Sequence, residues 1–297
     1  MFKSGIVAIV GKPNTGKSTL LNLLIGEKIA IVSYKPQATR KSVRGILTSD
    51  RYQIIFTDTP GAHKSLKKLS QVMIGFIDDA VDDADVVVVV TDHLGMIDDT
   101  IEKYLSVIKN KRKKAVLIIN KMDLMNEDKA AQIEKNFTDR AVFDAILRVS
   151  LLKDTDAKNK ILDAILGLMD EGPKYYDEDI ISTETERFIV AEIIREKLMN
   201  TVSDEIPYST AVMIDEMKYR QEKNLYYIKA VIIVERLSHK KIIIGRNGQM
   251  IKNIGEQARE AIEHFLGTKV FLDLWVKPKK NWTKKEHFVK EYIDPRY

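Results

Sequence analysis

The sequence predicts an α/β unit with a mostly parallel sheet and helices on both faces, followed by a smaller α+β unit. Three observations predict it. Short continuous apolar runs alternate with helical segments over residues 5–172, a glycine-containing loop stands between the first run and the first helix, and an α-β-β-α-α-β pattern begins at residue 186. A length of 297 residues is long for one compact domain and comfortable for two. The division expected is residues 1–172, a linker over 173–185, and residues 186–297 ending in a basic tail.

In the first unit the strand candidates are residues 6–10, 43–47, 53–57, 86–91, 115–119 and 146–149. Uninterrupted apolar runs such as 86–90 suit strands buried on both faces. Helices over 17–26, 66–81, 98–109, 129–140 and 158–169 supply the crossovers. Glu171-Gly172-Pro173 ends the last of them, and the acidic stretch that follows reads as the linker. In the second unit a helix over 186–199 places Phe188, Ile189, Ile193, Ile194 and Leu198 on one apolar face. Strands over 209–218 and 225–235 follow, then a helix over 248–266 stopped by Gly267, and a strand over 269–276.

Composition excludes several classes. With no cysteine there is no disulfide framework and no thiolate metal site, and the five scattered histidines show no helical ligand spacing. The amino terminus carries no secretory pattern and the most apolar run is too short to span a bilayer, so a cytoplasmic location is expected. The net charge is +5, but from residue 240 onward about 13 Lys/Arg stand against about 7 Asp/Glu. Such asymmetry points to a polyanion partner for the C-terminal part, or to a solvated basic tail.

Gly11-Lys12-Pro13-Asn14-Thr15-Gly16-Lys17-Ser18-Thr19 matches G-x-x-x-x-G-K-[ST] between a predicted strand and helix. Glycines let such a loop curl so that its N–H groups face phosphate oxygens at a helix N-terminus. Lys17 then reaches the β- and γ-phosphates, and the Ser18 hydroxyl ligates Mg²⁺. Asn120-Lys121-Met122-Asp123 follows an apolar strand and is the base-reading element. The Asp123 carboxylate can accept both adjacent donors of a guanine edge, whereas adenine would leave it unpaired at a cost of roughly 1–3 kcal/mol. Asn120 would bridge base and phosphate loop, with the Lys121 stem over the ring. Asp58-Thr59-Pro60-Gly61 lies between the two, with Asp58 holding Mg²⁺ through water and the Gly61 N–H sensing the γ-phosphate. Thr39, in Gln37-Ala38-Thr39-Arg40, is the expected second Mg²⁺ hydroxyl. Ser150 and Leu151 complete the base side. Lys17, Thr39 and Gly61 are therefore the candidate catalytic positions, with Ser18, Thr39 and Asp58 the candidate metal ligands. Ala62 cannot orient a water, and His63 is read as a loop residue rather than a catalyst, so intrinsic turnover should be slow and stimulated by a partner. Asn14 invites a further expectation by similarity, since related GTPases with asparagine there can bind K⁺ against the phosphates.

Gly245-Arg246-Asn247-Gly248 is the G-x-x-G of KH modules, in which two glycines let a nucleic-acid backbone approach a turn between helices. Lys240, Lys241, Arg246 and Lys252 would meet phosphates, with Ile244 and Asn247 completing the candidate RNA-binding set. Ile243, Ile244, Met250 and Ile254 are expected to line the base groove. Trp275 reads as strand packing, and the lysine tail with Trp282 as an extra RNA contact.

The ordered string of motifs resembles the Era family of bacterial GTPases, carried by residues 11–19, by Lys35-Pro36-Gln37-Ala38-Thr39-Arg40 and by Asp58-Thr59-Pro60-Gly61-Ala62-His63-Lys64. Residues 186–197, Ile206-Pro207-Tyr208-Ser209 and Leu274-Trp275-Val276-Lys277 are similar to that family's KH part, so the resemblance spans nearly the whole chain. Two departures stand out. Ala38 replaces the first of two threonines, and Val149-Ser150-Leu151 stands where Ser-Ala is usual. The resemblance implies an α/β P-loop GTPase domain followed by a type II KH domain, using GTP/GDP and Mg²⁺. It also implies binding to single-stranded 16S rRNA near its 3′ end, a role in 30S subunit assembly and rRNA maturation, a monomeric state and weak peripheral membrane contact.

Overall fold

The computed structural model describes residues 1–35, 38–61, 68–203 and 205–293, so Gln37, Ala62 and His63 lie outside the described residues. By contact the described residues form two units. The first holds Met1–Ala30, the chain from Thr39 to Gly61 and Met73–Thr183. The second holds Glu184 onward, together with Ile31–Ala38 and the start of the second helix.

The first unit runs β1 (Lys3–Gly11), α1 (Lys17–Ile25), β2 (Val43–Thr48), β3 (Tyr52–Asp58), α2 (Lys68–Asp83), β4 (Val86–Thr91), α3 (Asp99–Lys111), β5 (Lys114–Ile119), α4 (Glu127–Thr138), β6 (Ala145–Arg148) and α5 (Ala157–Leu168). Its sheet order is β2-β3-β1-β4-β5-β6. Only β2, on β3, runs antiparallel. Strand order therefore reverses at β1, and ligands of such sheets bind at the carboxyl ends of the strands beside that reversal. All six residues of β4 are buried, as a central parallel strand requires. Val87, Val89, Leu117, Ile77, Ile101 and Leu105 share one core cluster beside the sheet.

Local chemistry sets the boundaries. Asp98 caps α3 by accepting from the Thr100 and Ile101 amides at 3.2 and 3.1 Å. Asn126 accepts from the Lys129 amide at 3.0 Å, so α4 starts before residue 129. Val149, expected in the sixth strand, leaves the ladder after donating to the Ile119 carbonyl. The stretch read as linker is tied to this unit's edge. Gln53 accepts from the Tyr175 and Tyr176 amides at 2.7 and 2.9 Å, and the Ile46 amide donates to Ile181.

The second unit runs α6 (Glu186–Thr201), β7 (Thr210–Arg220), β8 (Leu225–Val234), α7 (Leu237–Ile244), α8 (Gln249–Leu266), β9 (Lys269–Pro278) and α9 (Glu286–Ile293). The sheet order is β7-β8-β9, with β7 antiparallel and β9 parallel to β8. Parallel pairing demands a crossover, which α7 and α8 supply. Alternate residues Ile228, Ala230, Ile232 and Val234 are buried, as are Ile254, Ala258 and Ile262 at helical spacing on α8. Helix α6 departs from the single apolar face expected. It buries Arg195 and Glu196 too, because Val32, Ser33, Lys35 and Ala38 of this unit hydrogen-bond along its other side. The Val32 amide donates to Glu196, the Ser33 hydroxyl to Asn200, and the Arg195 guanidinium to the Ala38 carbonyl.

Candidate functional site

In the first unit the phosphate loop leaves β1 at Gly11 and re-enters helix at Lys17. Gly16, at φ +107°, has no room for a side chain, since a Cβ there would lie 2.3 Å from Asn120 Nδ2. Gly61 approaches the loop closely, and a Cβ on it would sit 2.7 Å from the Pro13 Cα. Asn14 takes φ +65°, and Thr15 donates its hydroxyl to the Lys12 carbonyl at 3.0 Å. Thr19, Thr59 and Pro60 lie beside these groups in chain order; Thr59 is fully buried and its hydroxyl donates to Ile9.

Lys17 is buried, its ammonium donating to the Lys12 carbonyl at 2.8 Å. Burial pulls its pKa down to about 8, opposed in part by Asp58. Burial likewise pushes Asp58 up to about 6, opposed by Lys17 and by hydroxyl hydrogen bonds. The Ser18 hydroxyl donates to Asp58 Oδ2 at 2.6 Å and lies 2.9 Å from the Thr39 hydroxyl, which donates to the same Oδ2 at 3.3 Å. The other Asp58 oxygen, Oδ1, is buried without a hydrogen-bond partner. Two hydroxyls and a carboxylate with an unused buried oxygen are a hard-oxygen donor set suited to Mg²⁺. The structure thus brings Ser18, Thr39 and Asp58, separated in sequence, to one point.

On the far side Asn120 donates to the Thr15 carbonyl at 2.8 Å and accepts from the Leu151 amide at 3.1 Å. It locks the phosphate loop to the 150–151 loop. Lys121, at φ +63°, donates to the Asn14 carbonyl and to Asp92, both at 2.7 Å. Asp123 accepts from the Ser150 hydroxyl at 2.6 Å and pairs with Lys153 at 3.0 Å. The Ser150 and Lys153 hydrogen bonds hold this carboxyl below the usual range, so it is ionised at neutral pH. Sequence reasoning missed Asp92, Lys153 and Asp98, whose carboxylate pairs with Lys12. No motif flags them, since they act through residues distant in the chain.

In the second unit Gly245 caps α7 at φ +74°, Asn247 takes φ +51° and Gly248 takes φ +76° before α8. Nothing lies within 4 Å of a Cβ placed on Gly248, so its bare backbone faces open space. Lys241, Arg246, Asn247 and Lys252 are exposed, while Lys240 and Ile244 are half-buried. Ile243 and Ile254 are fully buried and belong to the core rather than to a groove. A cavity of about 330 Å³ lies between α8 (Ile251, Gly255, Arg259) and β9 (Phe271, Leu272, Leu274). Two readings of tryptophan reverse. Trp275 is 58% exposed, and Trp282 is fully buried with its indole donating to the Ser209 carbonyl at 3.0 Å.

Comparison with known proteins agrees with both units. A 50S ribosome-binding GTPase family model matches residues 6–121 and a KH domain model matches residues 205–283. The chain is 44% identical to GTPase Era of Halothermothrix orenii over 97% of each chain, and 43% identical to that of Clostridium novyi over 98% of each. It is similar to the crystal structure of a single-substitution variant of Aquifex aeolicus Era bound to GDP·AlF4⁻, with 36% identity, TM-score 0.92 and coverage of 98% of this chain and 99% of that one. An Era complex with MgGDPNP and nucleotides 1506–1542 of 16S ribosomal RNA matches with the same identity, TM-score and coverage. With the phosphate loop, the Asn120–Asp123 motif and the G-x-x-G turn all in place, this chain belongs to the Era family of GTPases.

Proposed function

We propose that the protein is a GTP-binding and GTP-hydrolysing switch that holds single-stranded 16S rRNA near its 3′ end and assists 30S subunit assembly and rRNA maturation. The observation that carries it is the convergence of Ser18, Thr39 and Asp58 beside buried Lys17, with an ionised Asp123 at the opposite end. Ser18, Thr39 and, through water, Asp58 would hold Mg²⁺, which neutralises charge on the β- and γ-phosphates. The glycine-cradled amides and Lys17 orient the triphosphate, and the Gly61 amide reads whether the γ-phosphate is present. Gly11, Lys12, Pro13, Asn14, Thr15, Gly16 and Thr19 surround the phosphates. Asp123 reads guanine while Asn120, Lys121, Ser150 and Leu151 hold the base loop. Slow turnover follows from catalysis by positioning and charge alone.

Residues 1–172 are assigned to the GTPase domain and 186–297 to the RNA-binding domain, where Lys240, Lys241, Arg246 and Lys252 meet phosphates around the G-x-x-G turn. A K⁺ ion against the phosphates near Asn14 is the further cofactor, and turnover in K⁺ above that in Na⁺ at equal ionic strength is its test. We place the protein in the cytoplasm as a monomer, with its basic tail as the source of any weak contact at the membrane's inner face. No described helix is long and apolar enough to cross a membrane. Crosslinking the full chain to 30S subunits with GTP and with GDP tests the whole reading. Nucleotide-dependent crosslinks to the 16S 3′ region are expected, and ATP binding as tight as GTP overturns the switch.

A further inference from the structure

We propose that Lys153 is a built-in competitor of guanine for the Asp123 carboxylate, and thereby sets how tightly and how selectively the base is held. The proposal deepens the nucleotide reading above and rests on it. Reading a guanine edge takes both carboxylate oxygens, one for the ring N–H and one for the exocyclic amino group. The fold already engages both. Oδ1 accepts from the Ser150 hydroxyl at 2.6 Å, and Oδ2 pairs with the Lys153 ammonium at 3.0 Å. The two partners differ in kind. A hydroxyl leaves the carboxylate its negative charge and a lone pair for a second donor, whereas an ammonium cancels the charge on which a strong N–H···O⁻ bond depends.

Local geometry fixes the pairing. The Lys153 and Asp154 amides both donate to the Ser150 carbonyl, at 3.0 and 2.8 Å, closing a turn that folds Lys153 back toward Asp123. Neighbouring cations have carboxylates of their own. Lys121 pairs with Asp92 at 2.7 Å, and Lys160 with Asp154 at 3.2 Å. Asp154 also accepts from the Asp156 amide at 3.0 Å, so the acid next to Lys153 in the chain is engaged elsewhere. The Lys153 side chain is 68% exposed and that of Asp123 23%, so the pair has the modest strength of a surface ion pair. Guanine can displace such a partner, but its hold is weakened by the exchange. Adenine reverses the effect. It places a ring acceptor opposite the carboxylate, and an ammonium between the two relieves the repulsion that discriminates against it. Lys153 therefore narrows the preference for guanine while loosening guanine itself.

The test uses the full-length protein with Mg²⁺ at an ionic strength of about 0.15 M, where charges more than about 8 Å apart are largely screened. A change at Lys153 is then felt at Asp123 and not at the phosphates, at the other end of the nucleotide. Displacement of fluorescent GDP by GTP and by ATP gives the affinities. Lys153→Ala and Lys153→Met are each expected to tighten GTP about threefold and to widen the GTP-to-ATP affinity ratio by at least as much, while Lys153→Arg keeps both parent values. Lys153→Met retains the apolar stem, so it separates the charge from any packing of the stem against the base. Release of fluorescent GDP should slow by the same factor in the Ala and Met variants. An unchanged or weaker GTP affinity in Lys153→Met overturns the competitor, because the ammonium would then be idle or would help to hold the base. If the parent protein binds GTP no better than ATP, the guanine reading itself falls and takes this extension with it.

Discussion

At the scale of single residues, the site is held in an electrostatically costly state. Asp58 and Lys17 are both buried and both shifted toward neutrality, so each charge is one the fold would rather not carry until a ligand arrives. The sign for Asp58 follows from its raised folded pKa. Between pH 3.8 and about 6 the folded state binds more protons than the unfolded, so stability falls as pH rises through that window. Denaturant unfolding of the nucleotide-free protein and of Asp58→Asn at pH 4 and pH 7 should differ in slope. The parent is expected to lose about 2 kcal/mol relative to the variant across that interval. Identical slopes would show that Asp58 is not desolvated. Asp123 shows the opposite behaviour: its depressed pKa keeps the carboxylate ionised into mildly acidic solution, where the proposed reading of guanine needs it. Asp123→Asn replaces an acceptor by a donor. GTP affinity should fall about a hundredfold while xanthosine triphosphate, which presents a carbonyl there, gains. Isothermal titration with the two nucleotides reads both changes.

Elements matter because their ends carry the chemistry. Asp98 caps α3 and pairs with Lys12 of the phosphate loop, so one side chain serves a helix and the site. Asp98→Ala is expected to cost about 1 kcal/mol of stability through the lost cap, seen as a lower melting temperature. Nucleotide affinity should weaken only modestly, because Lys12 remains. The 245–248 turn depends on backbone rather than side chain. Gly245 has a positive φ, and a Cβ there would fall 2.6 Å from the Met250 Cβ. Gly245→Val should deform the junction of α7 and α8 and abolish RNA binding while GTP hydrolysis persists, as filter binding and phosphate release on one sample would report. Amphipathic patterning made α8 readable, because Ile254, Ala258 and Ile262 recur at helical spacing and are all buried. The same reasoning misjudged α6, whose polar side is covered by a segment more than a hundred residues earlier in the chain.

On the scale of the whole molecule, two ligand classes leave separate thermodynamic signatures. GTP with Mg²⁺ at a hundredfold excess over its dissociation constant should add about 2.7 kcal/mol to the stability of the unit it binds. RNA affinity should fall with salt, with a slope near −0.7 for each phosphate engaged. Replacing both Lys240 and Lys241 by Ala is expected to flatten that slope by about one to two phosphates without changing GTP affinity. An unchanged slope would place the phosphate contacts elsewhere.

What sequence alone determined was whatever obeys local rules. The parallel sheet follows from uninterrupted apolar runs, the phosphate loop from glycine spacing, and the G-x-x-G turn from two residues able to take positive φ. Tertiary structure alone decided which distant groups share a point. It joined Ser18, Thr39 and Asp58, paired Asp123 with Lys153, buried Trp282 and left Trp275 in the open. The physical reason is that propensity and periodicity act over a turn or a strand. Burial and pairing depend on chain segments that meet only when the sheet closes, and no local pattern encodes which face a neighbour will cover.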